Sequence, residues 1–289
     1  MPIPSTAAER RRAERAARSG GEPELEFAGG TPYARYGAID TLLDLQRPRT
    51  AEPSETSFII ATQVMELLFS LLAEHWERAR EAMERDDTAA AVAELRRGAR
   101  VQDVLVSSWD LLADLSPTEF SRFRDALGDA SGFQSHTYRR LEFLLGNTSA
   151  AMVRPHRGSP RARAELERAM EEPGLYDAAL GLLARRGLPV PDEALRRDRT
   201  RPYAEHPGVR EAWARVYADD TPGNDLFVLA EALLDTAERV TRWRQRHLAA
   251  VKRSMGAKPG TGGSNGLRWL AANAAEDVFP ELWSLRTEL

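Results

Sequence analysis

The stretch FIIATQVMELLFSLLAEHW, Phe58 to Trp76, decides the fold. Phe58, Thr62, Met65, Phe69, Leu72 and Trp76 recur at steps of four and three, the spacing of one helical face. Five of these side chains are large and apolar, and the sixth is a threonine. The stripe directs Thr62 inward, as filler in a hydrophobic face or as the floor of a pocket. The same periodicity extends from Ser54 through Arg85, with capping residues at its start.

Two further segments read the same way. DTAAAVAELRRGARVQDVLVSSWDLLADL (87–115) and LFVLAEALLDTAERVTRWRQRHLAAVKRSMG (226–256) are long amphipathic helices, the second closed by Gly256. Shorter helices are expected in SPTEFSRFRDALG (116–128) and ASGFQSHTYRRLEFLLGN (130–147), and a closing helical segment in NAAEDVFPELWSLRTEL (273–289). Period-2 runs of β-branched residues are absent. Helices this far apart in sequence bury their stripes only against one another, which predicts one all-α helical bundle over residues 25–289. The Arg- and Ala-rich residues 1–24 lack an apolar centre and read as a disordered basic arm rather than a signal peptide.

Composition narrows the chemistry. The net charge is −4, with Arg and Glu interleaved, so no basic face is offered to nucleic acid. No apolar run reaches the roughly 18 to 20 residues of a membrane span, and the chain is expected in the cytoplasm. There is no cysteine, which removes disulfides, thiolate nucleophiles and thiolate-ligated metals. Five histidines remain. His247 shares an apolar helical face with Val240, Trp243 and Val251; it is either a core histidine or the single axial ligand of a haem. His75, His136, His156 and His206 lie in polar or turn-rich contexts and are expected to be solvated.

Arg124 is flanked by Phe120, Phe123 and Leu127. Its guanidinium either passes an apolar edge into solvent or clamps a substrate carboxylate with its planar fork. GTGGSNG, Gly260 to Gly266, is no phosphate loop. It lacks the Lys-Ser/Thr ending of a Walker motif, and both the third glycine and the preceding strand of a dinucleotide fingerprint. A flexible loop with a threonine hydroxyl, able to close over a small ligand, is what remains.

FIIATQVMEL, PTEFSRFRDALGDASGFQSHTYRRLEFLLGN, RWRQRH and KPGTGGSNG resemble the signature blocks of haem-dependent tryptophan 2,3-dioxygenases, and TPYARYGAIDTLLDLQ resembles their N-terminal block. The blocks run in the family's order from Tyr33 to Gly266. The resemblance implies a helical subunit that binds haem b and assembles as a dimer or tetramer. It implies His247 as the iron ligand, Trp109 and Ser131 near the haem edge, and Arg124 and Thr261 on the amino-acid end of the substrate. Phe58 and Phe120 would line the indole site, and Tyr33 and Tyr36 would reach a neighbouring subunit's active site.

Thr62 departs from the pattern, because the family carries His there to hydrogen-bond the indole N–H. Gly37 stands for Leu and Met65 for Tyr, changes that enlarge or reshape the ring pocket. The implied activity is O₂-dependent oxidation of the indole C2–C3 bond of tryptophan, or a substituted tryptophan, to an N-formylkynurenine. Three alternatives accompany it. They are monooxygenation of a (β-methyl)tryptophan to an oxindole with an external reductant, oxidation of another aromatic amino acid, and a haem sensor without turnover.

Overall fold

A computed structural model describes residues 6–263 and 265–288. It divides into two compact units, residues 1–47 and 48–289. In the first, three helices are described: α1 (Ala7–Arg18), α2 (Pro32–Gly37) and α3 (Ile39–Leu43). Where a disordered arm is expected, α1 forms with a Thr6–Glu9 capping box and no buried residue. Residues 1–5 of that arm lie outside the described residues. None of the three helices buries a side chain, so this unit has no core of its own.

The second unit opens with α4 (Pro53–Glu84) and α5 (Thr88–Ser108). Pro53 occupies the first turn of α4, where its missing N–H costs nothing. Glu55, 2% exposed, accepts from the Thr50 hydroxyl at 2.5 Å and from the Arg49 and Thr50 amides at 2.8 Å. Those bonds hold its carboxyl below the usual range, the Thr50 hydroxyl contributing most. Gly98 lets α5 approach α4 closely, since a Cβ there would sit 3.2 Å from Leu72 and 3.3 Å from the Trp76 indole nitrogen. The expected face holds in its core: Met65, Phe69, Leu72 and Trp76 are all at most 7% exposed.

Thr62 does not follow them. It is exposed, at a point where the face leaves the core and borders a cavity. A second expectation is also corrected. α4 does contain an 18-residue window of mean hydropathy 1.6, long and apolar enough by composition to cross a membrane. In this fold the helix instead packs on α5 and the helices described next.

The chain continues through α6 (Pro117–Arg124), α7 (His136–Leu144), α8 (Pro160–Glu171), α9 (Leu175–Arg185), α10 (Asp192–Leu195) and α11 (Pro207–Tyr217). The third long helix, α12 (Asp225–Met255), starts on the Asn224 side chain, which accepts from the Leu226 and Phe227 amides. It stops at Gly256, whose φ of 62° suits glycine alone. α13 (Gly266–Ala274) and α14 (Pro280–Ser284) finish the chain, so the closing helix begins earlier than the sequence suggests and breaks before Pro280. α4 packs on α5, α7 and α9, and α12 on α5 and α13. No strand occurs among the described residues, which makes the fold all-α as expected.

Candidate active site

A cavity of about 480 Å³ opens between α4, α6, α7, α12 and α13, within the range of small-molecule sites. Phe58, Thr62, Trp109, Phe120, Ser131, His247 and Thr261, far apart in sequence, all line it. Its walls are mostly apolar, with Met65, Phe69, Tyr138 and Trp243 among them.

His247 stands on one wall. Its ring stacks on the Trp109 indole at a centroid distance of 4.7 Å and 12° between planes, and Trp243 lies tilted by 51° at 5.5 Å. These neighbours strip water from the imidazole and pull its pKa from 6.5 to about 4, so it is neutral at pH 7. No hydrogen-bond partner holds it among the described residues. The indole N–H groups of Trp109 and Trp243 are likewise buried without an acceptor. The ring is half-buried, on the side of the cavity.

Across the cavity, Phe58 meets Phe120 and Phe123 at 6.0 and 5.5 Å, and those two meet edge-on at 5.2 Å. The Thr62 hydroxyl donates to the Phe58 carbonyl one turn earlier at 2.9 Å. Its hydrogen is thereby spent, and the oxygen is left as an acceptor facing the cavity.

The 256–266 loop closes a third side. Thr261 donates to the Ala130 carbonyl at 2.6 Å, and Gly262 lies so close that a Cβ would meet Ser131 at 2.8 Å. Ser264, inside the GTGGS block, lies outside the described residues. Arg124 is not on the cavity wall. It lies half-buried at the end of α6, and its Nη2 donates to the Pro259 carbonyl at 2.6 Å. Its Nε–H is buried and has no acceptor. Tyr33 and Tyr36 belong to the other unit and are 77% and 98% exposed.

His156, expected to be solvated, is 8% exposed, and burial lowers its pKa. The turn-rich sequence around it hid a segment packed between α7 and α8. Tyr138, Trp243 and Trp269 on the walls were also not singled out from sequence. The first two lie in aromatic positions of helices whose stripes could have pointed to them.

A profile of the family described as tryptophan 2,3-dioxygenase matches residues 18–216 and 214–289. A tryptophan 2,3-dioxygenase of Ralstonia nicotianae is 39% identical over 268 residues, 93% of this chain and 91% of its own length. That of Caulobacter vibrioides is 42% identical over 257 residues, 89% and 98% of the two lengths. That of a Polaromonas species is 41% identical over 266 residues, 92% and 90%. The chain belongs to the tryptophan 2,3-dioxygenase family. The resemblance of its blocks is borne out across nearly the whole length, and membership makes the protein an oxygenase enzyme.

The family implies haem, and the residues present fit it. His247 offers one neutral nitrogen into a cavity with apolar walls. No cluster of three or more His, Asp or Glu able to hold a bare metal ion occurs among the described residues. A single imidazole in dry surroundings suits an iron whose other in-plane ligands come with a macrocycle.

Proposed function

We propose that this protein is a haem-dependent oxygenase that inserts both atoms of O₂ across the indole C2–C3 bond of L-tryptophan, or of a substituted tryptophan, to give an N-formylkynurenine. The observation that carries the reading is the convergence of His247, Thr62, Phe58, Ser131 and Thr261 on one cavity. Haem b held on His247 supplies the iron that activates O₂. Everything else falls to side chains of this chain.

The Phe58 and Phe120 rings, backed by the buried Phe123, form an apolar shelf for the flat indole. The Thr62 oxygen, with its own hydrogen committed to Phe58, accepts from the indole N–H. At the other end, Thr261 has given its hydrogen to Ala130, so its oxygen accepts from the substrate ammonium. Arg124, off the cavity wall, holds the loop that carries Thr261 through Pro259, and its fork of donors turns to the carboxylate when substrate binds. Two anchored ends fix the C2–C3 bond in place, and that positioning is the protein's main contribution to rate.

The assembly is proposed as a homo-oligomer, dimer or tetramer. A coreless segment that exposes Tyr33 and Tyr36 supports their reaching a neighbouring subunit's site. The chain is otherwise read as residues 1–24 forming a basic arm and 25–289 a single haem-binding domain. No relative reported above carries a monooxygenase or sensor name. Mass spectrometry of the product made from tryptophan under ¹⁸O₂ tests the proposal. Two labelled oxygens are expected; one labelled oxygen in an oxindole would overturn it.

A further inference from the structure

The wall formed by α7 and α12 conceals a charge imbalance that the roles above do not use. Arg139 on α7 is 4% exposed, Arg244 on α12 is 3% exposed, and Glu142 between them is 1% exposed. Glu142 accepts from both, through Oε2 from Arg139 Nη1 and through Oε1 from Arg244 Nη2 at 3.4 Å.

The other hydrogen-bond partners of these guanidiniums are neutral, and the Glu276 carboxylate acts on Arg244 through space alone. Arg244 Nη1 donates to the Asn273 and Glu276 carbonyls at 3.0 and 3.2 Å, and its Nε reaches the Tyr138 hydroxyl at 3.5 Å. Arg139 Nη2 reaches the Phe133 carbonyl at 3.5 Å. Burial pushes the Tyr138 phenol well above its ordinary range, so it stays un-ionised. The Glu276 carboxylate is exposed and engaged by Asn147, where water screens it. Glu66, the carboxylate among the residues that line the cavity, is held by the Thr137 hydroxyl on the α4 side. Two permanent cations thus share one buried anion.

Arg244 precedes His247 by three residues, which makes them neighbours one turn apart on α12. Reduction of an iron on His247 removes one positive charge. A fixed cation in a wall of low dielectric therefore favours the reduced form. We propose that Arg244 is a positioning residue for the redox state: its buried charge, only partly offset by Glu142, holds the haem site toward ferrous iron. The same side chain fixes the end of α13 through the Asn273 and Glu276 carbonyls, which steadies the wall that carries Trp269 and Leu270.

The inference rests on the haem reading of His247, and one set of holoproteins separates the two. Midpoint potentials are measured by spectroelectrochemistry for the parent, Arg244→Gln, Arg244→Lys and Glu142→Gln, alongside haem content. Arg244→Gln is expected to lower the potential and Glu142→Gln to raise it. Each shift should be about tenfold in the reduced-to-oxidised ratio, about 59 mV for one electron. Arg244→Lys, which keeps the charge, should stay near the parent. If Arg244→Gln does not fold, Arg139→Gln takes its place with the same expected sign.

A purely structural role would move both substitutions the same way, since both break one cluster. Shifts of equal sign, or none, overturn the inference. Failure of the parent to bind haem, or equal haem binding by His247→Ala, overturns the haem reading instead.

Discussion

The imidazole of His247 and the indole of Trp109 lie parallel, 4.7 Å apart and 12° from coplanar. With no hydrogen bond to set its rotation, the imidazole is oriented by this stack and by the tilted ring of Trp243. Replacing His247 with Ala removes the only nitrogen ligand offered to the cavity by the residues that line it. Haem content, read from the Soret band after reconstitution, should fall from one per chain to near zero. Trp109→Leu keeps an apolar wall but frees the ring. An aromatic pair is worth about 0.5 to 1.5 kcal/mol beyond burial, so haem affinity should drop roughly 2- to 13-fold.

The same burial sets a pH dependence in the haem-free protein. His247 has a pKa of about 4 in the fold and 6.5 as its ordinary value. Between those values the unfolded chain takes up the proton and the folded one does not. Stability is therefore lost as pH falls from about 6.5 to about 4, by roughly 3 kcal/mol in all, and is unaffected above that window. Thermal midpoints of the parent apoprotein should decline more steeply across it than those of His247→Leu. Parallel declines would show that the ring is not desolvated.

How much of this was legible beforehand follows from what periodicity encodes. The 3.6-residue pattern found α4, α5 and α12, because each buries a stripe wherever its neighbours lie. It left Thr62 open between filler and pocket floor, because the face of α4 leaves the core at that residue and continues as a cavity wall. Spacing along one helix does not record what stands opposite it. His156 was misread for a related reason: its local sequence is turn-rich, and its burial comes from α7 and α8 packing over it. The family blocks named Phe58, Trp109, Phe120, Ser131, His247 and Thr261, which line one cavity, and also Arg124, which does not; no block names the Arg139–Glu142–Arg244 cluster. Arg139 and Glu142 lie one turn apart on α7, but Arg244 is 102 residues from Glu142, and only the fold brings it to them.

Arg124 has two tasks that can be separated by substitution. Its Nη2 anchors the loop at Pro259, and its Nε–H awaits an acceptor. Arg124→Ala should cost a charge-assisted contact of about 2 to 4 kcal/mol, or roughly 30- to 800-fold in kcat/KM for tryptophan. Tryptamine has no carboxylate, so its weaker turnover should change far less. An equal loss with both substrates would mean that Arg124 serves the loop alone.

Thr62 stands where the resemblance of the sequence blocks leads to the expectation of a histidine, and its chemistry differs from that residue's in one respect that can be measured. A histidine can accept a hydrogen bond and also take up a proton. The Thr62 hydroxyl, committed to Phe58, can only accept. Thr62→Val preserves shape and removes the acceptor, leaving the indole N–H without a partner. The cost should be about 0.5 to 1.5 kcal/mol, or roughly 2- to 13-fold in kcat/KM for tryptophan. Thr62→Ser should retain most of the parent rate. 1-Methyltryptophan carries no indole N–H, so parent and Thr62→Val should turn it over alike. If Thr62→Val slows both substrates equally, the hydroxyl acts on the helix rather than on the indole.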